Sequence, residues 1–84
     1  MKDVKEKLGK SDVQHGPFSN RVFLMKLDES DFPDIIQRLD ALARSQKYTK
    51  IFAMVPAYAR GAFAADGYVE EARIPGFYRG EVDG

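Results

Sequence analysis

The sequence predicts a small α/β unit of the βαβαβ kind, with a mixed sheet, one long helix and one short helix. Three observations carry that prediction. RVFLMKL (Arg21 to Leu27) and KIFAMVP (Lys50 to Pro56) are compact apolar runs of strand length. Between them, DESDFPDIIQRLDALARSQ repeats its apolar residues at steps of three and four. After them, AYARGAFAADG is alanine-rich and stops at Gly67, a natural residue to follow a helix.

Each element has a local reason. The first strand is dense enough in branched and apolar residues to be buried on both faces for much of its length. The long helix takes Asp31 or Ser30 as its N-cap, places Pro33 in the first turn, and runs to about Gln46. Phe32, Ile35, Ile36, Leu39, Leu42 and Ala43 form its apolar stripe, with Asp34, Gln37, Arg38 and Arg44 facing away. Pro56 stops the second strand. Gly61 weakens the short helix, which therefore depends on packing by Tyr58 and Phe63. YVEEARI (Tyr68 to Ile74) reads as a third strand, and Gly16-Pro17 marks a turn. The charged segment 1–12 is a solvated lead-in or a frayed helix, residues 13–80 form the single domain, and 81–84 form a cut tail.

A three-stranded sheet with two helices leaves edges and one face uncovered. Either the DVQH segment adds a strand or another subunit or domain completes the sheet. At 84 residues the chain hides only about 60–65% of its unfolded surface, so such gaps matter.

The totals weigh against several classes. Thirteen basic and thirteen acidic residues cancel, which argues against a nucleic-acid partner. Without cysteine there are neither disulfides nor thiolate metal sites, and one histidine cannot build an imidazole cage. No apolar run is long enough to span a bilayer and the N-terminus carries no hydrophobic signal, so a cytoplasmic protein without a membrane partner is expected.

Candidate chemistry is sparse. His15, the lone imidazole, precedes a Gly-Pro turn and suits either local backbone tethering or a base beside a bound ligand. No second histidine and no nucleophile elbow accompany the serines. Glu70 and Glu71 point to opposite faces of a strand, where an edge carboxylate that discourages aggregation is the simpler reading. Arg60-Gly61 is a weak anion site, because an arginine near a helix N-terminus opposes the dipole. No GxxxxGK or GxGxxG cradle is present. The segment IPGFYRG (74–80) crowds Phe77, Tyr78 and Arg79 together. It reads as a binding platform, a joint against further structure, or satellite core.

QHGPFSNRVFLMKL (14–27), YTKIFAMVPAYARGAF (48–63) and above all DGYVEEARIPGFYRG (66–80) resemble the N-terminal region of beta-lysine N-acetyltransferases, members of the GNAT acyl-CoA-dependent superfamily. The resemblance runs from about Ser11 onward. It implies a degenerate, GNAT-like half placed before a conventional GNAT domain that transfers acetyl from acetyl-CoA to the side-chain amine of beta-lysine, giving a compatible solute. It departs at Met54, where the family commonly has lysine, and the superfamily's Arg/Gln-x-x-Gly-x-Gly/Ala pyrophosphate loop is absent. No catalytic or cofactor-binding residue carries over. The expectation is a portion of such an enzyme, inactive alone, whose acetyl-CoA binds in a missing C-terminal GNAT domain.

On that reading His15, Tyr78 and Arg79 are candidates for the substrate side. Phe77 and Tyr78 are interface candidates, partly exposed at a seam. The alternative is a non-enzymatic domain that covers its open sheet with a second copy or another partner. Ligand binding without chemistry near His15 and Arg79 is a third.

Overall fold

The computed structural model describes residues 4–82. Its strands are β1 (Val4–Leu8), β2 (Ser11–Gly16), β3 (Arg21–Lys26), β4 (Lys50–Met54), β5 (Val69–Glu70) and β6 (Phe77–Glu81), with helices α1 (Ile35–Gln46) and α2 (Ala57–Ala65). They build one mixed sheet in the order β1-β2-β3-β4-β6-β5, parallel only between β3 and β4. The predicted α/β class, the mixed sheet and the long and short helices are all present.

Within the expected charged lead-in, Val4–Leu8 form a strand instead, and residues 1–3 lie outside the described residues. Gly9, at φ 67°, and Lys10 form a two-residue turn that folds β1 antiparallel onto β2. Thus the DVQH segment does add a strand, and it brings β1 with it. Asp31 does not cap α1. Its carboxylate accepts hydrogen bonds from the Lys10 amide (2.8 Å) and the Ser11 hydroxyl (2.6 Å), tying the β1–β2 turn to the chain that follows β3. Asp28 caps a short 3-10 turn at Glu29–Asp31 instead, and the α-helix begins only at Ile35. The Ser11 hydroxyl above all holds the Asp31 carboxyl below its ordinary value of 3.8.

The predicted strand Tyr68 to Ile74 shrinks to Val69–Glu70. The chain then reverses through Pro75 and Gly76 (φ 82°), with Phe77 N–H donating to Ile74 O (3.0 Å) and Glu71 N–H to Phe77 O (2.7 Å). It returns as β6 between β4 and β5, antiparallel to both. The segment expected to be a seam is an internal strand. Glu81 ends it and Val82 is buried; Asp83 and Gly84 lie outside the described residues.

Sheet register sorts the side chains. Val13, Val22, Leu24, Ile51, Ala53 and Tyr78 are buried on one face, against Ile35, Ile36, Leu39 and Ala43 of α1 and Ala59 and Phe63 of α2. The other face carries Phe23, Phe52 and Phe77 and, among the described residues, no helix. Edge strand β1 is protected by Lys5, Glu6 and Lys7, and edge strand β5 by Glu70, whose carboxylate accepts the Gly76 N–H (2.9 Å).

Gly80 is a tightly packed point of the sheet. A Cβ there would lie 2.8 Å from Tyr68 Cε2, because the buried Tyr68 ring lies across the strand while meeting Phe63 edge-on. Gly80→Ala should therefore cost about 1–3 kcal/mol by overpacking, read as a lower urea midpoint. An unchanged midpoint would show that the ring does not occupy this space.

Candidate functional site

His15 sits on β2 with its side chain turned toward the helix layer, 8% exposed. One ring nitrogen, Nδ1, lies 2.9 Å from the Tyr48 hydroxyl and the other, Nε2, 2.6 Å from Glu6 Oε1. Glu6 comes from β1, and Tyr48 from the αL turn that closes α1, where Lys47 has φ 62°. A neutral ring protonated on Nε2 satisfies both contacts, with Nε2–H donating to the carboxylate and Nδ1 accepting from the phenol. Both nitrogens are then committed, and a bound molecule could engage either only by displacing Glu6 or Tyr48. The arrangement ties β1, β2 and the α1–β4 turn together.

The other candidates do not join it. Tyr78 shares the helix-facing side of the sheet but stands beyond β3 and β4, 5% exposed, with its ring 6.3 Å from that of Phe63. This corrects the expected exposure of Tyr78: alternation along β6 sends it into the core and sends Phe77 to the opposite face. Arg79 is exposed on that opposite face, paired in register with Phe52 and Val69. His15, Tyr78 and Arg79 therefore form no common site.

The open face has chemistry of its own. The Phe77 ring lies 5.9 Å from that of Phe23 and 5.6 Å from that of Phe52, and the Arg21 guanidinium stands 5.0 Å over Phe52. Met54 is 36% and Val69 64% exposed beside them. Half-buried aromatics bordered by arginines are typical of surfaces that bind other macromolecules.

The hollows among the described residues include two with charged linings. A cavity of about 370 Å³ between α1 and β6 is lined by Asp40 and Asp66 beside Arg44, with Tyr68 at its wall. Arg44 Nε donates to Asp40 (2.8 Å). Burial, with the charges of Asp66 and Asp40, pushes the Tyr68 hydroxyl above the ordinary phenol range, so it stays a neutral donor. The second, about 330 Å³, opens where β3 and β4 stop pairing, between Met25 to Leu27 and Met54 to Pro56. Arg60, the weak anion candidate, borders it with Nε 3.3 Å from Val55 O.

Sequence reasoning singled out His15 but not Glu6 or Tyr48, which stand 9 and 33 positions away. Only the Gly9-Lys10 hairpin signal between alternating residues could have brought Glu6 beside it. With both nitrogens engaged, His15→Ala should lower stability by about 1–3 kcal/mol, measured by urea unfolding. Glu6→Gln, at a half-exposed position, should cost less than about 1 kcal/mol. Full stability of the alanine variant would contradict the tethering role.

No family profile matches the chain, and no solved structure matches it. Among curated proteins it is similar to the beta-lysine N(6)-acetyltransferase of Methanococcus maripaludis, 27% identical over 66 residues. The alignment covers 79% of this chain and 24% of that enzyme. A relation to acetyltransferases is thus supported through a segment that spans about a quarter of the relative.

Proposed function

We infer that the chain serves as a non-catalytic α/β module of an acetyltransferase acting on beta-lysine, with transfer from acetyl-CoA carried out by structure outside these residues. The carrying observation is the 66-residue match to the M. maripaludis enzyme. A GNAT-like ancestry is part of the same reading.

The start of α2 is a poor match for the acetyl-CoA pyrophosphate. A pyrophosphate needs free backbone N–H groups at a helix start, ordinarily from a glycine-rich loop. Here α2 follows Val55-Pro56 directly. Pro56 has no N–H, the Val55 N–H is bound to Gly76 O (2.7 Å), and the Val55 carbonyl accepts from Arg60. Gly76 packs so closely that an added Cβ would lie 3.0 Å from Arg60 Nη2 and 3.1 Å from Val55 O. No glycine-rich loop surrounds the start of α2. Acetyl transfer also requires an amine held in line with the thioester and donors for the developing oxyanion, and His15, Tyr78 and Arg79 do not converge to supply them.

No helix among the described residues is long and apolar enough to cross a membrane. A cytoplasmic setting belongs to this proposal. A second reading, self-association, is favoured by the open aromatic face.

The purified chain, given acetyl-CoA and beta-lysine, should release no coenzyme A thiol above the blank. Turnover would overturn the non-catalytic assignment. Grafted in place of the matching segment of the M. maripaludis enzyme, the chain should preserve acetylation of beta-lysine. A folded chimera that binds acetyl-CoA but leaves beta-lysine unacetylated would count against the module reading.

A further inference from the structure

We propose that the open sheet face is a homodimer interface, closed by a second copy of this chain about a twofold axis running along β4. The inference does not depend on the acetyltransferase reading.

Register supplies the argument. Across β3, β4 and β6 the open face presents the row Arg21, Lys50, Glu81, then the row Phe23, Phe52, Arg79, and then Met54 beside Phe77. β3 and β6 flank β4 on either side. A twofold axis along β4 therefore sets each β3 residue of one copy over the β6 residue in the same row of the other. Arg21 meets Glu81 of the second copy, and Phe23 meets its Arg79, a cation–π pairing. Phe52 meets its own counterpart at the centre. Each off-axis contact occurs twice. Lys50 also meets its own counterpart, between the two Glu81 carboxylates. Face-to-face sheets cross at about 30°, so the match is closest around Phe52 and the first row beside it.

The same face is basic, since Arg21, Lys50 and Arg79 outnumber Glu81, and single-stranded nucleic acid is the competing occupant. Stacking platforms for bases need open ring faces. Here the Phe52 face carries the Arg21 guanidinium at 5.0 Å, and Phe77 is tilted 33° against Phe52 and 60° against Phe23. The rings close on one another as an apolar cluster, which suits a protein surface better.

Sedimentation velocity on the 84-residue chain, from micromolar to millimolar concentration, tests this. The wild-type chain should be in monomer–dimer equilibrium. Arg21→Glu alone and Glu81→Arg alone should each weaken the dimer by about tenfold or more, because attraction becomes repulsion at two symmetric contacts. The double variant should regain most of the lost affinity. Circular dichroism melting of each variant separates loss of fold from loss of association, and Phe52→Lys supplies a monomeric control that leaves the helix-side core untouched. A wild-type chain that stays monomeric at every concentration overturns the proposal. So does a dimer that the charge swap fails to restore, or binding of oligouridine with loss of that binding in Phe52→Lys.

Discussion

Everything on both faces of this sheet depends on how β6 enters it. The strand slides between β4 and β5, so its alternation must serve a core on one side and an open surface on the other. Tyr78 turns inward to Phe63, Phe77 turns outward to Phe23 and Phe52, and Gly80 gives its space to the Tyr68 ring. Moving the register by one residue would exchange these environments, burying Arg79 under the helices and exposing Tyr78. Two helices can cover one face of a six-stranded sheet, and the strand order decides which aromatics they cover.

Two further polar sets secure the β1–β2 edge of that sheet. Glu6, His15 and Tyr48 bind β1 and β2 to the turn before β4, while Asp31, Lys10 and Ser11 bind the β1–β2 turn to the segment after β3. Both sets recruit polar side chains where a small domain lacks apolar surface to close its margins. This accounts for an only histidine that is buried and doubly hydrogen-bonded. It also accounts for an aspartate that resembles a helix cap in sequence yet serves a neighbouring turn.

Much of the architecture was legible where burial is one-sided and periodic. The α1 stripe, the existence of the β3 and β4 strands, the end of α2 before Gly67 and the Gly16-Pro17 turn follow from hydrophobic spacing or backbone restriction. β3 is not buried on both faces as expected, however, because Phe23 and Met25 are only half-buried on the open side. β1 was not legible as a strand because four of its five residues are exposed, leaving alternation without an apolar signal. The β5–β6 hairpin was obscured by a continuous strand-like run, although Pro75-Gly76 marks the reversal. Of the candidate site, His15 could be singled out by rarity alone. Its partners arrive through tertiary pairing that no local period encodes. The open face was anticipated as an uncovered sheet, but its charge pattern emerges only when register aligns Arg21 with Lys50 and Glu81.

Phe77–Glu81 is an internal strand on which core and surface both depend. Amide hydrogen exchange followed residue by residue tests it most directly, since protection reports the opening free energy of each segment. The amides of β6 that bond to β4 and β5 should exchange as slowly as those of β4, and with them in one cooperative unit. Exchange of Tyr78 to Glu81 at the rate of a frayed terminus, with β4 still protected, would contradict the account.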